Sequence, residues 1–400
     1  MKILIVSQHF FPDDFRVNDI ARSLVENGHI VRVLTGLPDY ATSRVPKEYR
    51  WFRKRREEWY GATVVRVPVV SRRRGVFFRA LNYLSFMIGG FFYACFCRFH
   101  ADAVLSYQTS PVLQAVPAVR YRRRFRVPLL LYCCDLWPES LKAWNIGEGH
   151  PLFRLMKRVS CRLYQQCDTV AVTSAPFREY LVNTHGIEQE RIAYLPQHAE
   201  DLYSAVCGVY EENGCIDFLF AGNVGAVQDV SVILQAASHL KEDLPFRVHI
   251  VGAGTELQGC VALAGRLELS DRVVFHGKFP LEEMPRFYRM ADCFLLTLRG
   301  GDFIGRTLPA KVQGYLSAGK PVLAAADGAV PDLIREADCG ICIPAGDAQK
   351  LAQAMEAVIR DFPLYQEKGR RGRRYYEGHF TREIFLQRLD GLLINNRYRG

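Results

Sequence analysis

"DFLFAGNVG" at residues 217–225 and "FRVHIVGAGTE" at 246–256 decide the fold. Each is a short apolar run that ends in a glycine turn, the pattern of a buried strand closed by a tight loop. Between them, residues from about 229 to 241 have the pattern of a helix. A strand, a helix and a second strand at this spacing form a parallel pair with a right-handed crossover. The pattern continues through "RVVFHGKFP" (272–280), "CFLLTLRGG" (293–301), "GRTLPAKVQGYLSAGKPV" (305–322) and "PVLAAADG" (321–328).

The same alternation fills the first half. "KILIVSQHFFP" (2–12), "IVRVLTGLPDY" (30–40), "ADAVLSYQTSP" (101–111), "PLLLYCCDLWP" (128–138), "TVAVTSAP" (169–176) and "RIAYLPQ" (191–197) are apolar runs that end in turn or polar residues. "VNDIARSLVENGH" (17–29) is an amphipathic helix stopped by Gly28. With 400 residues, the chain exceeds one ordinary core and suggests two domains of about 150–200 residues each. The two series predict an α/β protein of two doubly wound, Rossmann-like parallel-sheet domains, 1–198 and 199–375. A C-terminal helix of about 376–400 is expected to pack back on the first. In such sheets ligands bind beyond the carboxyl ends of the strands, so functional residues should follow the apolar runs directly.

Composition narrows the class. Hydrophobic residues make up 49% and charged residues 24%, which fits a globular chain. The 12 cysteines show no repeated zinc spacing, and Met1-Lys2 runs straight into a strand without a cleavable signal; reduced thiols and a cytoplasmic location are expected. The net charge of +10 is uneven: lysines and arginines number 29 against 17 acids in residues 1–200, and 23 against 25 in 201–400. The basic clusters are 53–56, Arg72-Arg73-Arg74 and Arg120 to Arg126, beside Trp51, Phe52, Phe77, Phe78 and Phe125. One half of the protein faces something anionic, either nucleic acid or a phospholipid surface.

Four strand-end loops in the second half describe a nucleotide-diphosphate pocket. Gly222, Asn223, Val224 and Gly225 form the first turn, and Gly252 and Gly254 mark the second. The third, "FHGKFP" (275–280) with His276, Gly277 and Lys278, is expected to present backbone groups to a planar base. In the fourth loop Thr307 is expected to cap a helix with Pro309 near its start, and Lys311, one turn in, to reach the same anion. Each loop alone is also what an ordinary turn looks like; the combination carries the reading.

Over nearly its whole length the chain resembles the family-4 glycosyltransferases of the GT-B fold, in particular the bacterial subgroup that builds O-antigen, capsule or exopolysaccharide. "HFFPDDFRVNDIARSL" (9–24), "GHIVRVLTGLPDY" (28–40), "DLWPES" (135–140), "YLPQHAEDLY" (194–203), "AGNVGAVQD" (221–229) and "LPAKVQGYLSAGKPVLAAADG" (308–328) carry the likeness. The resemblance implies two domains facing a cleft. It places a nucleotide-sugar donor, taken to be UDP-linked, on the C-terminal domain and a polyprenyl-diphosphate-linked saccharide on the N-terminal one. It implies metal independence, no cofactor and retention of anomeric configuration. Asp135 and Glu139 are then the catalytic candidates, and His9, Arg16 and Asn18 the acceptor candidates.

Three departures stand out. The family's two glutamates fall near Arg306 and Gly314, its basic pair at Asn223 and Gln228, and its histidine before the acidic residue at Cys134. Diphosphate neutralisation is therefore assigned to Arg306 and Lys311, with Thr307, Leu308 and the amides of 223–225 beside them. A non-catalytic nucleotide-sugar-binding subunit and a GT-B-like UDP-sugar epimerase remain open. So does a nucleic-acid-binding protein, which would explain the arginines but not the glycine loops. The remaining expectations are a monomer or weak oligomer and peripheral attachment to the inner membrane face. "ALNYLSFMIGGFFYACFC" (80–97), 18 residues without a charge, is read as a domain helix that is buried, interfacial or inserted.

Overall fold

The computed structural model describes residues 1–397 apart from 41, 42, 52 and 74, so the expectations placed on Phe52 and Arg74 lie outside the described residues. The chain divides into two compact units. One is Met1–Leu195 joined by the chain from Leu386 onward, and the other is Pro196–Phe385. The returning segment begins within the helix Arg382–Arg397.

In the first unit the strands are β1 (Lys2–Val6), β2 (Ile30–Thr35), β3 (Arg56–Trp59), β4 (Ala62–Arg66), β5 (Ala103–Gln108), β6 (Leu129–Cys133), β7 (Thr169–Val172) and β8 (Ile192–Tyr194). They form one sheet in the order β3-β4-β2-β1-β5-β6-β7-β8. Every pairing is parallel except that of β3 with β4. Ile3 to Val6 and all of β5 are buried, as strands covered by helices on both faces must be. The β3–β4 hairpin is the element that sequence patterning misses. β3 reads "REEW", a charged edge strand with no apolar alternation to reveal it. Three helices matter below: α1 (Arg16–Glu26), α2 (Val76–Phe96) and α3 (Val116–Phe125).

The second unit holds β9 (Ile216–Ala221), β10 (Phe246–Val251), β11 (Val273–Gly277), β12 (Cys293–Thr297), β13 (Val322–Ala325) and β14 (Gly340–Ile343). Their order is β11-β10-β9-β12-β13-β14, all parallel. Alternate residues of β9 feed two separate cores. Leu219 and Ala221 pack with Tyr315 and Phe294, while Phe218 and Phe220 pack with Ile233 and Val248. In both sheets the strand order reverses beside the unit's first strand, at β1/β5 and at β9/β12. These reversals are the positions at which open α/β sheets bind ligands.

Candidate active site

The second unit's switch point is built from glycine turns locked to one another. Gly222 N donates to Val251 O (2.9 Å), Gly252 N to Gly277 O (2.8 Å) and Val224 N to Ala253 O (3.0 Å). The packing is tight enough to exclude side chains: a Cβ on Gly252, whose φ is +149°, would sit 1.7 Å from Gly222 O. The carboxyl ends of β9, β10 and β11 thus form one continuous backbone ledge, and the amides of Gly222 and Val224 are used in holding it.

Lys311 reaches this ledge from below. A Cβ built on Gly222 would meet its Nζ at 2.7 Å, so glycine is what leaves the ammonium its place. Nζ lies 4.0 Å from the centre of the Phe220 ring and is closed off from solvent, although the lysine as a residue is only half-buried. Among the described residues it has no hydrogen-bond partner. Burial alone lowers its pKa to about 7. A buried ammonium with no carboxylate beside it is costly, and an arriving anion would relieve that cost.

The helix expected to begin near Thr307 begins instead at Lys311, after Ala310, and no side chain caps it. Proline explains the shift: Pro309 pushes Leu308 out of the helical region and has no N–H of its own. Thr307 is therefore not a cap, and its N–H donates to Ile304 O at 3.1 Å. Leu308 is buried in the apolar core, and Arg306 and Thr307 are half-buried on the irregular stretch before the helix. The helix Lys311–Ser317 has seven residues, so the lysine's charge, not a helix dipole, makes this corner electropositive.

The remaining donor candidates are partly committed elsewhere. Asn223 Nδ2 donates to Gln228 Oε1 at 3.0 Å, a neutral pair where the resemblance puts two cations. His276 Nε2 lies 2.9 Å from His249 Nδ1, whose ring in turn reaches Asp217 Oδ1 at 3.0 Å. Burial first, then His249 and Arg286, lowers the pKa of His276, so this ring is a neutral member of a polar chain inside the sheet. Gly254 stands against Val224 O, and Lys278 is exposed just beyond β11. At Gly314, where the family's second glutamate falls, a Cβ would lie 3.2 Å from the Tyr203 ring and 3.3 Å from Tyr288 Oη. These two tyrosines stack at 4.1 Å and occupy the space.

Sequence reasoning missed Arg299. Its N–H donates to Val227 O (2.8 Å), which fastens the loop after β12 to the loop after β9 at the switch point. Its side chain is exposed and lines a cavity of about 240 Å³ with Gly225, Asp229, Ser231, Glu256 and Arg266. Its place directly after the apolar run "CFLLTL" was the available signal.

In the first unit, the loops after β1, β2, β5 and β6 come together at the carboxyl edge. Asp135 accepts from Ser110 Oγ at 3.0 Å, and burial raises its pKa against that hydrogen bond. Cys134 beside it is no base: burial and Asp135 raise its thiol far above the usual range. Glu139 is buried, with Tyr180 Oη (2.9 Å) and Lys142 Nζ (2.7 Å) on its carboxylate, and so ties elements of the unit together. Asn18 is likewise engaged, accepting from Phe11 N (3.1 Å) and donating to Asp13 O (2.9 Å). Arg16, half-buried at the start of α1, lies where its charge is felt by Tyr107 and Cys134.

His9 is different. It is 5% exposed and stacks on Phe15, with Tyr40 edge-on at 4.9 Å. Neither ring nitrogen has a hydrogen-bond partner among the described residues, and burial first, then Arg72, lowers its pKa to about 3. Asp39, from "GLPDY", was also missed. Its Oδ2 accepts from Arg72 N (2.7 Å) and Asn82 Nδ2 (2.9 Å), its Oδ1 has no partner among the described residues, and burial raises its pKa to about 6. Buried polar atoms without partners are unusual, and here three gather at a strand-end edge.

The twelve cysteines are all unpaired. Residues 15–198 match the family described as "Glycosyl transferase 4-like domain", and residues 211–375 match "Glycosyl transferases group 1". A putative colanic acid biosynthesis glycosyl transferase of Escherichia coli, WcaI, is 24% identical, covering 97% of this chain and 98% of its own. A probable glycosyltransferase of Pseudomonas aeruginosa, WbjE, is 27% identical over 64% of this chain and 66% of its own. Among solved structures, Anabaena HepE, crystallised with UDP and glucose, superposes with a TM-score of 0.70 at 16% identity, covering 98% of this chain and 99% of its own. A sucrose-phosphate synthase from Thermosynechococcus elongatus superposes with a TM-score of 0.75 at 16% identity, each chain fully covered. Two parallel-sheet units, a glycine ledge at the switch point of the second, and two family matches that between them span most of the sequence lead to one conclusion: the chain belongs to the family-4 glycosyltransferases of the GT-B fold.

Proposed function

We propose that this glycosyltransferase moves a sugar from a UDP-linked donor, held on the second unit, to a hydroxyl of a polyprenyl-diphosphate-linked saccharide held on the first. The observation that carries the donor reading is Lys311. Its buried Nζ, without a hydrogen-bond partner among the described residues, lies at the Gly222 turn, at the end of the sheet where nucleotides bind, and suits an anion. The HepE complex with UDP supports the choice of base, and the naming of WcaI for colanic acid synthesis supports a role in bacterial surface polysaccharide.

Lys311 and the exposed Arg299 supply positive charge to the leaving diphosphate, so the reaction is proposed to run without a divalent metal. The acceptor oxygen bonds to the anomeric carbon as the carbon–oxygen bond to the β-phosphate breaks. The electron pair leaves on the phosphate oxygen, which also takes the acceptor's proton, with retention of configuration. Asp135, held at the strand end by Ser110 Oγ at 3.0 Å, is assigned to orienting the acceptor hydroxyl. The test of the donor site is calorimetry. Lys311→Ala should weaken UDP binding by roughly 1.5–3 kcal/mol, the contribution of a charge-assisted contact. Unchanged affinity would remove the site, and strict dependence of turnover on Mg²⁺ or Mn²⁺ would remove the metal-free mechanism.

A further inference from the structure

α2 has two unlike faces. Asn82, Tyr83, Phe86, Gly90 and Ala94 are buried against the first unit, and a Cβ on Gly90 would come 2.4 Å from Pro117 of α3. The opposite face leaves large apolar groups in the open: Phe77 is 69% exposed, Ile88 50%, Phe92 55% and Phe96 75%, with Leu84 and Phe91 beside them. A stripe of this kind, several helical turns long, is unusual on a protein that meets only water.

Its surroundings are cationic. Residues 59–134 hold eleven arginines, no lysine and one acid, Asp102, which accepts from Lys2 N at 2.7 Å. Arg73 is exposed near the start of α2, with its guanidinium 5.5 Å from the Phe78 ring. Arg98 is exposed just past its end, and Arg123, Arg124 and Arg126 are exposed on or beside α3. Arg120 reaches over Phe91 at 5.7 Å.

We propose that this face docks on an anionic phospholipid surface, with α2 lying in the plane of the interface. A bilayer accepts both halves of the pattern, taking the phenylalanines at the acyl boundary and the arginines among the headgroups. Nucleic acid would engage the arginines but leave the apolar stripe bare. A second copy of the same face would set the exposed Arg73, Arg98, Arg123, Arg124 and Arg126 against their own counterparts. Crossing the membrane is long enough for α2 but would break its anchor. Asn82 donates to Asp39 Oδ2 (2.9 Å) and Val70 O (2.6 Å) and accepts from Gln8 Nε2 (2.8 Å), groups that would be left buried and unpaired. Such docking would serve a lipid-linked acceptor, yet it rests only on this surface and is read separately from UDP binding.

Vesicle flotation tests it. The protein should float with vesicles of phosphatidylcholine plus phosphatidylglycerol, not with phosphatidylcholine alone, and should be released by salt at about 1 M, where the screening length falls to about 3 Å. Combined Arg73→Ser, Arg98→Ser and Arg123→Ser should weaken partition by about a hundredfold. Combined Phe77→Ser, Phe92→Ser and Phe96→Ser should weaken it by at least about tenfold. Both variants should keep the wild-type thermal midpoint and UDP affinity, because every changed side chain is exposed. Equal flotation with neutral vesicles at high salt would overturn the proposal in favour of insertion. No flotation with any vesicle, or wild-type flotation of both variants, would overturn it outright.

Discussion

Lys311 should take up a proton when a nucleoside diphosphate binds. Burial holds its pKa at about 7 in place of the ordinary 10.5. At about 1.36 kcal/mol per pH unit, that shift corresponds to roughly 4–5 kcal/mol favouring the neutral amine. The sign follows from linkage. Between about pH 7 and 10.5 the unfolded chain holds this proton and the folded chain does not, so stability from this group rises as pH rises across that window. A bound diphosphate restores the charge and pulls the pKa back up. At pH 8, where about nine in ten free proteins carry neutral Lys311, binding should take up close to one proton, and affinity should fall by up to about tenfold per unit above pH 7. UDP itself is fully ionised there, its last phosphate pKa being about 6. Calorimetry in two buffers of different ionisation enthalpy reads the proton directly. Lys311→Met should abolish the uptake, flatten the pH dependence, weaken binding by about ten- to a hundredfold and raise the thermal midpoint of the free protein. Proton uptake near zero at pH 8, with affinity flat from pH 7 to 9, would refute the reasoning.

Other substitutions separate structural from functional roles. Gly252→Ala places a methyl group 1.7 Å from Gly222 O at a φ of +149°, and should lower the thermal midpoint and UDP affinity together; a stable variant with normal binding would contradict the ledge. Asp135→Asn should reduce kcat far more than the donor KM, whereas near-normal turnover would leave Asp135 a loop residue held by Ser110. Glu139→Gln weakens the tie to Tyr180 and Lys142 and should cost about 1–3 kcal/mol in denaturant unfolding while sparing UDP affinity.

Apart from β3, β4 and β14, the strands of both sheets were legible because each apolar run ends in a turn, and burial on both faces leaves no other reading for "KILIV" or "CFLLT". The glycine ledge was legible for the same reason. What was not legible lay in contacts that sequence order hides. Thr307 looked like a cap, but Pro309 delays the helix to Lys311. The side-chain partner of His276 was hidden as well: His249 lies on the neighbouring strand, and the chain of contacts ends at Asp217 on the next. Glu139 and Asn18 looked available, and tertiary neighbours claim both. Asp39 and Arg299 are single residues at strand ends, and only their surroundings mark them out. The space at Gly314 is set by Tyr203, more than a hundred residues upstream, which no local pattern could show.

Transfer of a sugar from a UDP-linked donor to a lipid-linked acceptor, with Lys311 carrying the diphosphate, is the proposed reaction to be tested. The most direct measurement incubates the purified chain with a radiolabelled UDP-sugar panel and polyprenyl-diphosphate-linked saccharides in the presence of EDTA, following label into the lipid phase and release of UDP. One donor should label the lipid in step with UDP release, and Lys311→Met should suppress both. UDP-sugar binding without label transfer across the panel, or consumption of the donor with no acceptor present, would contradict it.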